Sequence, residues 1–305
     1  MLQIYYRSPK QDQTTIPKRF QLNSWINVSD PNQTEVKRLS KRYELDLDLL
    51  NDALDPFEVP RVESESGVIY VYARIPNEDP HNPTIPLLIV IAKKYILTLS
   101  KNKPDFLNYF INDQIKYSTV NKIELFMLIF TQINFVYNRQ LNQIRKEIRK
   151  IRIRLTKTNP KDVIRFVDFE RILNDYLSAL VQSNVILSNL MNKKFIKLHQ
   201  ENQELLEDLS QDSRQLIEVC QSTLKNIVNI RSAYSTIIDQ NLNQIMKFLT
   251  TITIILAIPT LIASLFGMNI PLPFAHSGGA FLYILLFNII VIIIVLVALI
   301  RKNWI

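Results

Sequence analysis

The chain has 305 residues, with 36 Lys or Arg, 28 Asp or Glu and a formal net charge of +8. A single cysteine, Cys220, excludes an internal disulfide bond and a cysteine-based metal cluster. With only four glycines the chain has no glycine-rich phosphate-binding loop, which argues against ATP as an energy source. The basic stretch Ile144–Lys157 lacks the aromatic residues and motifs of a nucleic-acid-binding domain, so we expect an exposed helix face near an anionic membrane or partner.

A mixed α/β domain is predicted for residues 1–110, where most of the prolines lie. A helix is expected there, capped by Ser29 or Asp30 and with Pro31 at its first position. No pattern in this region is typical of a catalytic site. Three β-branched and aromatic runs bounded by turn residues are predicted strands: Val68–Ile75, Thr84–Ala92 and Tyr95–Ser100.

A helical stalk is predicted for residues 111–246, because this stretch has one proline, Pro160, and no glycine. One helix is expected from Asn121 to Arg154, and a second from Val163 towards His199. A third begins near Gln203 and meets no helix breaker before the apolar C-terminal region. Apolar residues recur along it mostly at three- and four-residue steps, which predicts one buried stripe: Leu206, Leu209, Leu216, Cys220, Leu224, Ile227, Tyr234, Ile238, Leu242 and Ile245.

The C-terminal region from Phe248 to Ile300 contains no Asp, Glu, Lys or Arg. About 20 apolar residues suffice to cross a bilayer as a helix, so residues 247–305 are predicted to form a transmembrane domain. We expect spans at about 248–268 and 280–300, joined by an outer loop at 269–279. A pair of buried core helices is the alternative.

Charged residues at the ends of these spans predict their orientation. Lys247 precedes the first span and Arg301 and Lys302 follow the second, whereas the loop between the spans has no Lys or Arg. The positive-inside rule therefore puts both termini in the cytoplasm. The N-terminal stretch has no apolar signal-peptide core, so the residues before the first span are expected to stay in the cytoplasm.

One face of the first span is small and polar, whereas the second span is apolar apart from Tyr283 and Asn288. Such a face is typical of close helix packing in membranes, but it is also what a water-filled pathway requires. Two spans cannot enclose a pathway, so a pore would need several copies, with the first span inside and the second against lipid. The residues of this seam alternate three and four positions apart: Asn243, Met246, Thr250, Thr253, Ala257, Thr260, Ser264 and Gly267.

Three sequence segments resemble the CorA family of magnesium transporters. Ser264–Phe274, which reads SLFGMNIPLPF, places a Gly-Met-Asn motif after the first of two C-terminal spans. Asn243–Thr250 (NQIMKFLT) resembles the beginning of that family's pore, and Asp55–Glu63 (DPFEVPRVE) resembles its cytoplasmic domain. The resemblance implies a funnel-shaped homopentamer, in which long helices continue from an α/β domain into the membrane.

The resemblance also assigns roles in the pore. Gly267, Met268 and Asn269 would form the selectivity filter at the outer mouth, where Gly267 is expected to permit the turn and expose a backbone oxygen. Met246 and Leu249 would form a hydrophobic constriction, although the seam places Thr250 rather than Leu249 on the inner face. The loop 269–279 has no acidic residue, where many members carry one.

Regulatory metal sites between adjacent subunits are a further implication of the resemblance. They would pair a carboxylate of the α/β domain, Glu78 or Asp79, with one on the long helix. Asp208 is best placed there, with Glu204 and Asp212 one turn away on either side. A solvated acidic face is the alternative.

Taken together, the sequence predicts a divalent-cation transporter or channel of the cell membrane and not an enzyme. It would mediate Mg²⁺ uptake down the electrochemical gradient and be closed by cytoplasmic Mg²⁺, with Co²⁺ as a second candidate ion. The expected partners are membrane lipid and further copies of the chain, and not nucleic acid. Two alternatives stay open: a Zn²⁺, Co²⁺ or Ni²⁺ transporter on the same scaffold, against which Met268 argues, and a membrane-anchored signalling scaffold.

Overall fold

The computed structural model describes residues 2–17, 19–153, 160–191, 200–268 and 279–302. The chain divides into two compact units, Met1–Asn229 and Ile230–Ile305. The first unit contains an α/β domain and three long helices. The second contains the end of the third long helix and one further helix.

A six-stranded sheet forms the centre of the α/β domain, with strand order β1-β2-β6-β5-β4-β3. Neighbouring strands are antiparallel except for the parallel pair β2 and β6. Strands β4, β5 and β6 confirm the three predicted strands, whereas β1, β2 and β3 were not predicted. The elements are β1 (Leu2–Tyr5), β2 (Ser24–Ser29), α1 (Gln33–Tyr43), α2 (Leu47–Asp52), β3 (Arg61–Glu65), β4 (Val68–Pro76), β5 (Thr84–Ile91), β6 (Tyr95–Ser100), a 3₁₀ turn (Asp105–Leu107) and α3 (Asn108–Ile111).

Alternate side chains of the strands supply apolar cores on the two faces of the sheet. One face packs against α1 and α2, where the Tyr72 hydroxyl donates to the carbonyl of Leu49 at 2.7 Å. On the other face, Trp25 packs against the rings of Tyr5, Phe110 and Tyr117. Both faces are therefore covered, as expected for strands that are almost entirely apolar.

The cap of α1 differs from the prediction. The N-cap residue is Asn32, whose side chain accepts from the Glu35 amide at 2.8 Å while the Glu35 carboxylate accepts from the Asn32 amide at 3.0 Å. This reciprocal capping box satisfies two backbone donors at once, which a cap at Ser29 or Asp30 would not do. Pro31 therefore precedes the helix.

Four long helices complete the chain: α4 (Lys122–Ile153), α5 (Pro160–Met191), α6 (Gln200–Phe266) and α7 (Ala280–Arg301). The three predicted helical stretches are confirmed, and their first residues differ from the predicted ones by at most three positions. The predicted ends at Arg154 and His199 lie outside the described residues. Polar contacts join the helices of the first unit. The Tyr176 hydroxyl donates to Gln140 at 3.0 Å between α5 and α4, and the Ser210 hydroxyl donates to Asn184 at 2.9 Å between α6 and α5.

The predicted apolar stripe of α6 is buried over only part of its length. Leu206 and Ile227 are buried, but Ile238, Leu242 and Ile245 are 45%, 57% and 62% exposed. Among the residues that the structure describes, no other segment covers this part of the stripe. The prediction of one continuous buried stripe is therefore wrong for a single chain beyond Ile230.

Candidate functional site

The polar seam of α6 lies on an exposed face of the C-terminal unit. Every seam residue from Asn243 to Gly267 is exposed. The less exposed positions of the same stretch lie on another face, where Thr251 is only 3% exposed and Ile254, Ile258 and Ile262 are half-buried. At about 100° per residue, the midlines of the two faces are roughly 150° apart.

Helix α7 has one less exposed stripe of its own. Its half-buried residues recur at helical spacing: Ile284, Asn288, Val291, Ile292, Val295, Leu296 and Leu299. One shielded stripe on each helix is the pattern of two helices lying side by side. The seam is left open on the opposite face of α6.

The seam threonines present oxygen atoms as hydrogen-bond acceptors. The hydroxyls of Thr250, Thr253 and Thr260 donate to the carbonyls four residues earlier, at 2.8, 2.9 and 2.8 Å. Each hydroxyl proton is thereby engaged, while the lone pairs of the oxygen remain available. A face of acceptors suits the water shell of Mg²⁺, because the ion keeps its waters and those waters donate hydrogen bonds.

Two large apolar side chains lie at the N-terminal end of the seam. Met246 is 54% exposed and Leu249 is 57% exposed. Leu249 and Thr250 lie on either side of the seam's midline, each about 50° away at 100° per residue. Either side chain can therefore face the interior of a ring of such helices after a small rotation.

Gly267 directly follows α6, and its amide donates to the carbonyls of Ala263 at 3.0 Å and Ser264 at 3.2 Å. Among the described residues, the glycine with a positive φ is Gly67. Gly267 lies in a turn without a positive φ, and a Cβ there would lie 3.4 Å from the same two carbonyl oxygens. Its expected role in exposing a backbone oxygen at the filter stays a prediction. Met268 is 49% exposed, and Asn269 lies outside the described residues.

The candidate regulatory carboxylates lie in two separate places within the first unit. Glu78 and Asp79 are exposed in the loop between β4 and β5, where the carbonyl of Pro80 accepts from Arg171 of α5 at 2.9 Å. On α6 the other three are exposed and four residues apart: Glu204, Asp208 and Asp212. Within the described part of one chain, no three acidic, His or Cys residues lie close enough to hold a metal ion.

An arginine-centred cluster in Asp55–Glu63 was missed by the sequence analysis. Arg61 forms salt bridges with Asp52, Glu58 and Glu63, and its guanidinium lies 4.1 Å from the centre of the Tyr72 ring. Arg61 thus offsets part of the negative charge of these three carboxylates within the chain. In the segment that resembles the family's cytoplasmic domain, Glu58 and Glu63 therefore have a structural role as partners of Arg61.

Comparison with known proteins decides the family. Residues 21–302 match a family described as CorA-like Mg²⁺ transporter protein. The chain belongs to the CorA family. As a CorA member it is a membrane transporter, and α7 and the C-terminal part of α6 are long and apolar enough to cross a membrane.

Individual relatives support the same fold. The cobalt/magnesium transport protein CorA of Methanocaldococcus jannaschii is 26% identical over 288 residues, which is 92% of this chain and 91% of that protein. The complete structure of the CorA magnesium transporter from the same organism has a TM-score of 0.86 at 24% identity, covering 100% of this chain and 99% of that one. The cytoplasmic domain of ZntB from Vibrio parahaemolyticus has a TM-score of 0.64 at 9% identity, covering 78% of this chain and 98% of that domain.

Proposed function

We propose that this CorA protein is a homopentameric channel of the cell membrane that carries Mg²⁺ into the cytoplasm, with Co²⁺ as a second permeant ion. The observation that carries the proposal is the exposed seam on the C-terminal stretch of α6, which is otherwise apolar. Hydroxyl groups facing lipid would gain nothing, whereas a ring of such faces encloses a path lined with hydrogen-bond acceptors. The name of the M. jannaschii relative supports Mg²⁺ and Co²⁺ as the ions.

The selectivity filter in this proposal is the Gly267-Met268-Asn269 motif at the outer mouth. Five Asn269 amide oxygens would accept hydrogen bonds from the water shell of the ion. Neutral oxygens suit this task, because a ring of carboxylates would hold a divalent ion too tightly to release it. The exposed backbone of Gly267 and Met268 would add carbonyl oxygens next to the ring.

Met246 and Leu249 form the gate. In a ring of parallel helices, their exposed side chains would meet at the cytoplasmic end of the pore and exclude water from a narrow apolar constriction. Both termini lie in the cytoplasm, because Lys247, Arg301 and Lys302 flank the spans on that side. The membrane potential drives entry, since a divalent cation crossing about −100 mV gains roughly 4.6 kcal/mol.

Cytoplasmic Mg²⁺ closes the channel by bridging exposed carboxylates of adjacent subunits. The carboxylates of Asp208 and its neighbours Glu204 and Asp212 face Glu78 or Asp79 of the next copy. Without metal these like charges repel one another, and Mg²⁺ bound through water tightens the closed ring. Several equivalent sites in one ring make closure depend steeply on the Mg²⁺ concentration, because each site binds Mg²⁺ more tightly in the closed state than in the open state.

Ion flux into liposomes that contain the purified protein tests the proposal. Wild-type protein should admit Mg²⁺ and Co²⁺ under an inside-negative potential, and Asn269→Ala should abolish uptake without changing the oligomer mass. Asn288→Ala is the matched control, because its amide donates to the Ile284 carbonyl at 3.0 Å within α7 and is not part of the seam. Zn²⁺ flux without Mg²⁺ flux would favour the alternative of a Zn²⁺ transporter on the same scaffold. Near-normal uptake by Asn269→Ala would refute the filter, and a monomeric or dimeric mass would refute the ring.

A further inference from the structure

A basic groove lies between α4 and α6 within the first unit. It encloses about 930 Å³, and its sides are helix faces with residues at three- and four-residue spacing. The floor includes Ile148 and Thr223, which are buried. The lining residues are Asn142, Arg145, Lys146, Ile148, Arg149 and Arg152 of α4, with Ser222, Thr223, Lys225, Asn226 and Asn229 of α6.

The charges in this groove are all of one sign. Four cations of α4 and Lys225 of α6 line it, and none of the lining residues that the structure describes is acidic. Glu147, the acidic residue on this stretch of α4, instead accepts from Lys150 at 2.6 Å. The cations that line one groove repel one another. Binding of an anion there relieves this repulsion and is therefore favourable.

The neutral residues of the groove are also those that bind phosphate groups. Amide and hydroxyl donors from Asn226, Asn229 and Ser222 lie among the cations, whereas the Asn142 amide donates to Asn138 at 3.0 Å. Arg145, Arg149 and Arg152 lie on one stripe of α4 and present planar guanidinium groups. Such groups bind phosphate oxygens in pairs, which favours phosphate over simple halide ions.

We propose that this groove is a binding site for a phosphate-bearing anion, supplied either by a soluble polyphosphate or by the headgroup of an anionic lipid. The filter, the gate and the regulatory carboxylates do not involve this groove, so the inference stands apart from the proposed transport function. The proposed site would account for the basic residues of the stretch Ile144–Lys157 that line the groove, because they would bind the anion.

Adjacent residues of α4 offer a matched pair of variants. Arg149→Gln and Lys150→Gln each remove one positive charge from an exposed position, but only Arg149 lines the groove. Full-length protein in detergent is titrated by calorimetry with inorganic tripolyphosphate in magnesium-free buffer, and separately with dioctanoyl phosphatidylglycerol. We expect Arg149→Gln to weaken binding about tenfold, because a charge-assisted contact is lost, and Lys150→Gln to stay within about twofold.

The two probes separate the sources of the phosphate group. If Arg149→Gln, and not Lys150→Gln, weakens the binding of tripolyphosphate, the ligand is a soluble polyphosphate. If only the binding of the lipid is weakened in this way, the ligand is a lipid headgroup. Either result supports the site. Equal weakening by the two variants, or no saturable binding of either probe, would overturn it. Melting temperatures of both variants verify that neither change unfolds the protein.

Discussion

Two threonines on opposite faces of the first span distinguish a water-lined seam from helix packing. Thr253 is an exposed seam residue whose hydroxyl donates to the Leu249 carbonyl at 2.9 Å. Thr251 is 3% exposed, and its hydroxyl has no hydrogen-bond partner among the described residues. The two positions are about 200° apart around the helix. Valine has nearly the shape of threonine, so Thr253→Val and Thr251→Val change polarity with little change in volume.

The expected magnitudes follow from the hydrogen bonds lost. A net hydrogen bond contributes about 1 kcal/mol, so a hydrated ion that loses one acceptor at Thr253 should cross about fivefold more slowly, and about thirtyfold more slowly if it loses two. At Thr251 the buried hydroxyl makes no bond that valine would break. Thr251→Val should therefore leave flux unchanged and leave stability equal or about 1 kcal/mol higher.

Mg²⁺ uptake into dye-loaded liposomes under a fixed potassium diffusion potential measures both variants. The amount of reconstituted protein is determined for each preparation, so that rates are compared per ring. If the seam only packs helices, Thr253→Val will affect assembly and not the rate per ring. Equal rates for Thr253→Val and wild type would refute a hydrated path along this face.

Further predictions concern the gate, regulation and the buried thiol. Met246→Ser or Leu249→Ser should raise flux at high internal Mg²⁺, because a polar constriction stays wet; tight closure in both variants would place the gate elsewhere. Asp208→Lys should mimic bound metal through a salt bridge, protect the first unit from protease in the absence of Mg²⁺ and depress transport. If Mg²⁺ does not protect even wild-type protein, this route of regulation is wrong. Burial raises the pKa of the Cys220 thiol to about 12, so iodoacetamide at pH 8 should label it only in denaturant; rapid labelling of native protein would show that α6 opens there.

Strands were predictable where their residues form long, mostly apolar runs. Strands β4, β5 and β6 follow from long β-branched runs, because such sequences are typical of strands covered on both faces. The short strand β2 was not predicted because a polar residue, Asn27, interrupts its apolar run. Asn27 is nevertheless buried, and its side-chain oxygen accepts from the Thr98 hydroxyl at 3.0 Å. That partner lies 71 residues away, so no local pattern indicates the pairing.

The seam and the regulatory carboxylates were not equally predictable. A helix has a fixed period, so residues from Asn243 to Gly267 fall on one face whatever surrounds them, and the structure has this whole face exposed. No sequence spacing predicts a site that is shared between subunits. Asp208 and Glu78 belong to different elements, and their proposed partners belong to another chain. The Asn32–Glu35 spacing, by contrast, was a local signal that identifies the cap of α1.

In the C-terminal unit, α6 exposes both apolar residues, which are more stable when buried, and a polar face, which is more stable in contact with water. Ile238, Leu242 and Ile245 need burial away from water, and burying such a side chain fully is worth about 2 kcal/mol. The hydroxyl oxygens of the seam further along the same helix can accept additional hydrogen bonds only from water or a polar partner, because a bilayer offers none. The proposed ring of parallel copies would meet both demands: the apolar positions would pack between neighbouring helices, and the seams would converge on a common axis. Under this proposal assembly and conduction depend on the same helix, and a single chain would not conduct.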